Sequence, residues 1–200
     1  MRNISETLSG KIVSAYIVTS GSRSIDPELK ELVEDDTTIF PNSPSEDEAI
    51  AENVKKETVY TRKIVRLLRD CSAGQKEFCL IIEDDAVLVH DIDYSKKLLA
   101  SSILSRYGNY EEIYDCGKTG WWPLSKEVRG NNLMCRVIPN MHSTELANLL
   151  EASDLPADLA LKEAAISIGL RERRFKLVEH TGYKTTIHES SPRYEDNPAV

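Results

Sequence analysis

The sequence predicts an α/β protein of three layers, with helices on both faces of a central mixed, mostly parallel sheet. Three observations carry this reading. Phe78, Cys79, Leu80, Ile81 and Ile82 form an unbroken apolar run of strand length, the pattern of a strand buried on both faces. Residues 11–19 (KIVSAYIVT) form a second strand candidate rich in β-branched and aromatic side chains. Between such runs apolar groups recur at helical spacing, as at Ile50, Val54, Val59, Ile64 and Leu68.

The first strand, residues 11–19, runs into the small-residue turn Ser20-Gly21-Ser22-Arg23-Ser24, whose guanidinium can meet a phosphate or a base. A lone Gly is no phosphate loop, and GxxxxGK[ST] is absent. Asp26-Pro27 with Glu28 and Glu31 opens a short helix that ends near Asp35-Asp36. Residues 37–40 (TTIF) read as a strand closed by Pro41. Ser45 and Glu48 make a capping box for a helix over residues 48–68. Arg62, Lys63, Arg66 and Arg69 near its end read as a solvated basic face, where cations suit the helix dipole. Gly74 breaks this helix before the central strand at Phe78.

After the central strand, residues 87–89 continue as an extended segment, and residues 94–106 form an amphipathic helix through Leu98, Leu99, Ile103 and Leu104. Residues 110–116 form a strand ending at Asp115, and the loop after it carries the adjacent Trp121 and Trp122. Aromatic side chains in a Gly-rich loop suit a sugar ring or a base, with plain packing as the alternative. Residues 133–138 are a further strand, and Ser143 starts a helix that ends near Ala152. A last long helix opens at residues 154–158, with Asp158 in its first turn, and runs to Gly169. Residues 176–178 form a final strand, with His180 directly after it and His188 beyond. Residues 1–188 are expected to be one domain and residues 189–200 a polar tail or linker.

At 200 residues the chain suffices for a sizeable core. A formal net charge of −8 argues against a general nucleic-acid binder, whose affinity comes from Lys and Arg. The four cysteines (Cys71, Cys79, Cys116, Cys135) follow no zinc spacing and read as reduced thiols of a cytoplasmic protein. No apolar run approaches the ~18 residues needed to cross a bilayer.

The central strand ends in three consecutive carboxylates, Glu83, Asp84 and Asp85, with no basic residue beside them. Adjacent like charges raise one another's pKa and cost free energy when held together. A divalent cation offsets that cost, and Mg²⁺ or Mn²⁺ takes carboxylate oxygens while sharing its shell with substrate phosphates. Ligands of open α/β sheets bind beyond the carboxyl ends of the strands, where this triplet falls. The simpler alternative is a solvated acidic turn.

Taken in order, Glu-Asp-Asp-Ala at a strand end, a strand ending near Asp115, Pro-x-Asp-Leu at a helix start and Leu-Val-Glu-His-Thr-Gly-Tyr-Lys-Thr-Thr resemble metal-dependent nucleotide-sugar glycosyltransferases of the GT-A fold. The nearest type is the Glu-Asp-Asp group of family 25 and of N-acetylglucosaminyltransferase IV. The resemblance implies a Rossmann-like GT-A fold with a UDP-sugar donor and an oligosaccharide or glycan acceptor. It implies Mn²⁺ or Mg²⁺ on Asp85, with His180 as second ligand and His188 as runner-up. Glu83, Asp84, Thr19, Ser20 and Arg23 would contact the donor; Trp121, Trp122 and Asp115 would face the acceptor. Asp158 would be the general base of an inverting transfer. The Thr-Thr pair after His180 departs from the Ser-Ser of relatives.

Two other classes share the metal logic. A response-regulator receiver also places Glu-Asp-Asp at a strand end, and Asp115 would then be its phosphoacceptor. A nucleotidyltransferase would release pyrophosphate from a nucleoside triphosphate.

Overall fold

The computed structural model describes residues 12–21, 23–33, 37–104, 110–117 and 133–180. Along the chain run β1 (Val13–Val18), α1 (Pro27–Glu31), β2 (Thr37–Phe40), α2 (Pro44–Ala51), α3 (Lys56–Ala73), β3 (Phe78–Glu83) and β4 (Ala86–Leu88). They are followed by α4 (Ile92–Leu104), β5 (Glu112–Asp115), β6 (Cys135–Pro139), α5 (Ser143–Glu151), α6 (Ala157–Ser167), β7 (Arg171–Arg174) and β8 (Val178–His180). Six strands form one sheet in the order β2-β1-β3-β6-β5-β7, and β4 with β8 makes a separate two-stranded ribbon. β1 is parallel to β2 and to β3, β5 is parallel to β7, and β6 is antiparallel to both of its neighbours. Five strands therefore point one way and only β6 is reversed, so the sheet is mixed and mostly parallel.

β3 is apolar from Phe78 to Ile82 because it is central. Its Cys79 and Ile81 face a core with Ile64, Leu67 and Leu68 of α3, Leu146 and Leu150 of α5, and Leu161 of α6. Its Phe78, Leu80 and Ile82 face the opposite core with Leu29 of α1 and Leu99 and Ile103 of α4. Period-two alternation thus buries both faces of one strand, and helices cover the sheet on both sides.

Several boundaries differ from expectation. Helix α2 starts at Pro44 because Ser43, not Ser45, is the cap: Glu46 N–H donates to Ser43 Oγ (3.3 Å) and Ser43 N–H to Glu46 Oε2 (2.7 Å). Both Ser-x-x-Glu frames fit the capping pattern, but only Ser43 precedes a proline suited to the first helical position. The helix expected over residues 48–68 is two helices, broken at Asn53, whose φ of 61° is left-handed. α1 stops at Glu31, short of Asp35-Asp36, and the next two residues, Leu32 and Val33, are buried in the core.

β7 was not foreseen, because Arg-Glu-Arg-Arg carries no apolar alternation. Its charges are matched by neighbours instead: Glu172 is buried against Arg136 of β6 (3.0 Å), and Arg173 meets the buried Glu112 (2.8 Å). The cysteines also differ from expectation, since the fold pairs them as Cys71–Cys79 and Cys116–Cys135. Cys116 and Cys135 are directly opposed where β5 leaves β6, with Cα atoms 5.1 Å apart. Residues 189–200 lie outside the described residues. Among the described residues no helix is long and apolar enough to cross a membrane.

Candidate functional site

The parallel strands finish on one edge: Val18 is level with Phe40 and with Glu83, and Asp115 with Arg174. The acidic triplet leaves the sheet there, at the carboxyl end of β3. Its backbone is anchored on both sides, Glu83 N–H donating to Met134 O (2.9 Å) and Asp84 N–H to Val18 O (3.0 Å).

The three carboxylates do not act alike. Asp84 turns toward β1 and accepts from the Thr19 hydroxyl (2.6 Å), whose oxygen also accepts from Gly21 N–H (2.9 Å). Thr19 is buried, so its hydroxyl builds the β1 turn. Glu83 and Asp85 turn instead toward His180. The ribbon brings it there, because β8 pairs with β4 so that His180 lies opposite Ala86, the residue after Asp85. His180 Nδ1 is 3.2 Å from Asp85 Oδ1 and Nε2 is 4.0 Å from Glu83 Oε2. One ligand atom from each of Glu83, Asp85 and His180 lies within 4.8 Å of the other two.

The remaining oxygen of each carboxylate is held from outside. The Tyr60 hydroxyl of α3 donates to Glu83 Oε1 (2.6 Å), and the Arg23 guanidinium donates to Asp85 Oδ2. The inner oxygens are left toward the imidazole. Two carboxylates and one imidazole can hold a divalent cation; oxygen ligands suit Mg²⁺ and Mn²⁺, and the nitrogen favours Mn²⁺ over the harder, smaller ion.

Proton affinities follow the same contacts. Burial pushes the Glu83 carboxyl up, with the Tyr60 hydrogen bond pulling down and the Asp85 charge adding to the rise. Burial also pushes Asp85 up, but His180 and Arg23 together outweigh it and hold this carboxyl below the ordinary range. His180 is raised, first by its hydrogen bond to Asp85, against desolvation. Tyr60 lies well above the usual phenol value, because of burial and then the Glu83 charge, and stays a donor.

The other expected residues divide. Ser20 is exposed in the turn after β1, and Arg23 reaches the acidic cluster from the same turn. Asp158 is half-buried in the first turn of α6. α6 leads into β7, whose first residue pairs with the first of β5. Asp115 is 1% exposed and faces Arg136 at 3.5 Å, a buried ion-pair partner instead of an acceptor-facing group. Trp121, Trp122 and His188 lie outside the described residues.

Two residues escaped the sequence reading. Tyr60 and Lys63 sit three apart on one face of α3. Lys63, expected on a solvated basic face, is buried and donates to Thr19 O and to Asn42 Oδ1 (2.7 Å). Desolvation is the main cause that lowers its amine from 10.5 to about 8. The clue was available in the spacing: Lys63 lies four residues after Val59 and four before Leu67, on the buried stripe. No protein-family model matches the chain, and no curated protein matches its sequence.

Proposed function

We propose that the chain is a metal-dependent glycosyltransferase of the GT-A kind. It would transfer a sugar from a UDP-sugar to a hydroxyl of a glycan acceptor. The observation that carries this reading is the convergence of Glu83, Asp85 and His180 at the carboxyl end of the central strand. The mixed, mostly parallel sheet and the return of a late histidine to the acidic motif agree with the family resemblance of the sequence.

A bound Mn²⁺ would supply positive charge where the leaving diphosphate develops its negative charge. The chain's own residues prepare for that. Glu83, Asp85 and His180 would hold the cation. Thr19 and Asp84 lock the turn after β1, and Arg23 stands beside Asp85, where a guanidinium meets phosphate oxygens. Asp158, at the amino end of α6, takes the proton from the acceptor hydroxyl in an inverting displacement. Burial and the ion pair to Arg136 leave Asp115 no access to a phosphodonor, which speaks against the receiver alternative.

Thermal unfolding against a panel of nucleotide sugars, with Mn²⁺ and with EDTA, tests the reading. One UDP-sugar should raise the midpoint only with Mn²⁺, and the shift should vanish in Asp85→Ala. A ligand at a hundredfold excess over its Kd adds about 2.7 kcal/mol. Asp158→Asn should keep the shift and lose transfer. Pyrophosphate release from a nucleoside triphosphate, without any response to nucleotide sugars, would replace this reading with nucleotidyl transfer.

A further inference from the structure

We propose that Tyr60 is a positioning residue of the Glu83–Asp85–His180 centre, setting which Glu83 oxygen faces the cation. This deepens the metal reading above and rests on it. Tyr60 belongs to α3, an element that contributes no ligand, and its ring packs against the core on the α3 face of the sheet. A phenylalanine would fill the same space. The hydroxyl is therefore not needed for packing, and a buried hydroxyl is costly without a partner. Its partner is Glu83 Oε1 at 2.6 Å, while Glu83 Oε2 is the oxygen that faces His180 Nε2.

The backbone of Glu83 is already fixed by its bond to Met134 O, so side-chain rotation is the freedom left to remove. Glutamate keeps its long, flexible side chain in many rotamers unless something holds it. Tyr60 holds it from behind, as Arg23 holds Asp85 through Oδ2 and leaves Oδ1 toward His180 Nδ1. The two donors come from different elements and act on the two carboxylates in the same sense. Hydrogen-bond partners behind metal ligands typically account for about 10- to 100-fold in metal affinity.

The test is the Kd for Mn²⁺ alone, read from the electron paramagnetic resonance signal of the free ion. It is measured on the full chain as wild type, Tyr60→Phe, Glu83→Ala and the double variant, with circular dichroism to verify folding. Tyr60→Phe should weaken Mn²⁺ binding about tenfold or more. In the Glu83→Ala background the same change should have no further effect, whereas a merely structural tyrosine would weaken both backgrounds alike. Equal Kd values for wild type and Tyr60→Phe would overturn the role of Tyr60 and leave the metal centre standing. Absence of Mn²⁺ binding by wild type would overturn both.

Discussion

Lys63 shows how far one buried charge departs from its sequence context. Its amine sits under the turn after β1, tied to a backbone carbonyl and to Asn42. Folded, it releases its proton at about 8, against 10.5 for an ordinary lysine. Between these values the folded chain holds fewer protons than the unfolded one, so this group makes stability rise with pH across that window. Lys63→Met removes the dependence. Urea unfolding at pH 7.5 and 9.5 should show the difference between the two proteins moving in favour of wild type at the higher pH. An unchanged difference would mean that Lys63 titrates as an exposed lysine does. The residue was legible as part of a helix but not as a buried amine, because spacing places it on the apolar stripe while its charge argues for solvent.

At the scale of elements, the ends of helices decide where the candidate groups point. α6 carries Asp158 at its amino end and closes at Gly169, whose φ of 78° is left-handed. An added Cβ there would meet no atom within 4 Å, so backbone strain is the penalty for an alanine. Gly169→Ala should cost about 1 kcal/mol, measured by chemical denaturation. A change below a few tenths would show that the turn relaxes freely. The acidic strand itself was readable from its apolar run. β7 was not: Arg-Glu-Arg-Arg becomes a strand only because Glu112, Arg136 and the register with β5 neutralise it.

For the whole molecule, each of the two disulfides ties an element to the one that follows it in the chain. Cys71–Cys79 joins α3 to β3, and Cys116–Cys135 joins the end of β5 to β6 across 19 residues of chain. The peptide carbonyl of Cys116 accepts from Leu177 (2.8 Å) and Val178 (3.2 Å), so this junction also carries the approach to β8 and His180. Closing a loop of that length constrains the unfolded chain by about 3 kcal/mol. Cys116→Ser should lower stability by that order, and the denatured wild type should expose thiols only after reduction. Four reactive thiols in denatured, unreduced protein would return the cysteines to the reduced state expected from their scatter.

By itself the sequence determined the class of fold, the central strand, the acidic motif at its end and the late histidine. These are local or periodic features, and burial imprints them directly on residue order. Only the tertiary structure decided that Glu83 and Asp85 face His180 while Asp84 faces Thr19. It also decided that Tyr60 bonds Glu83, that Lys63 is buried against Thr19 O, that Asp115 is buried, and that the cysteines pair. Each of these depends on which distant group desolvates or neutralises a polar side chain, and spacing along the chain does not encode that.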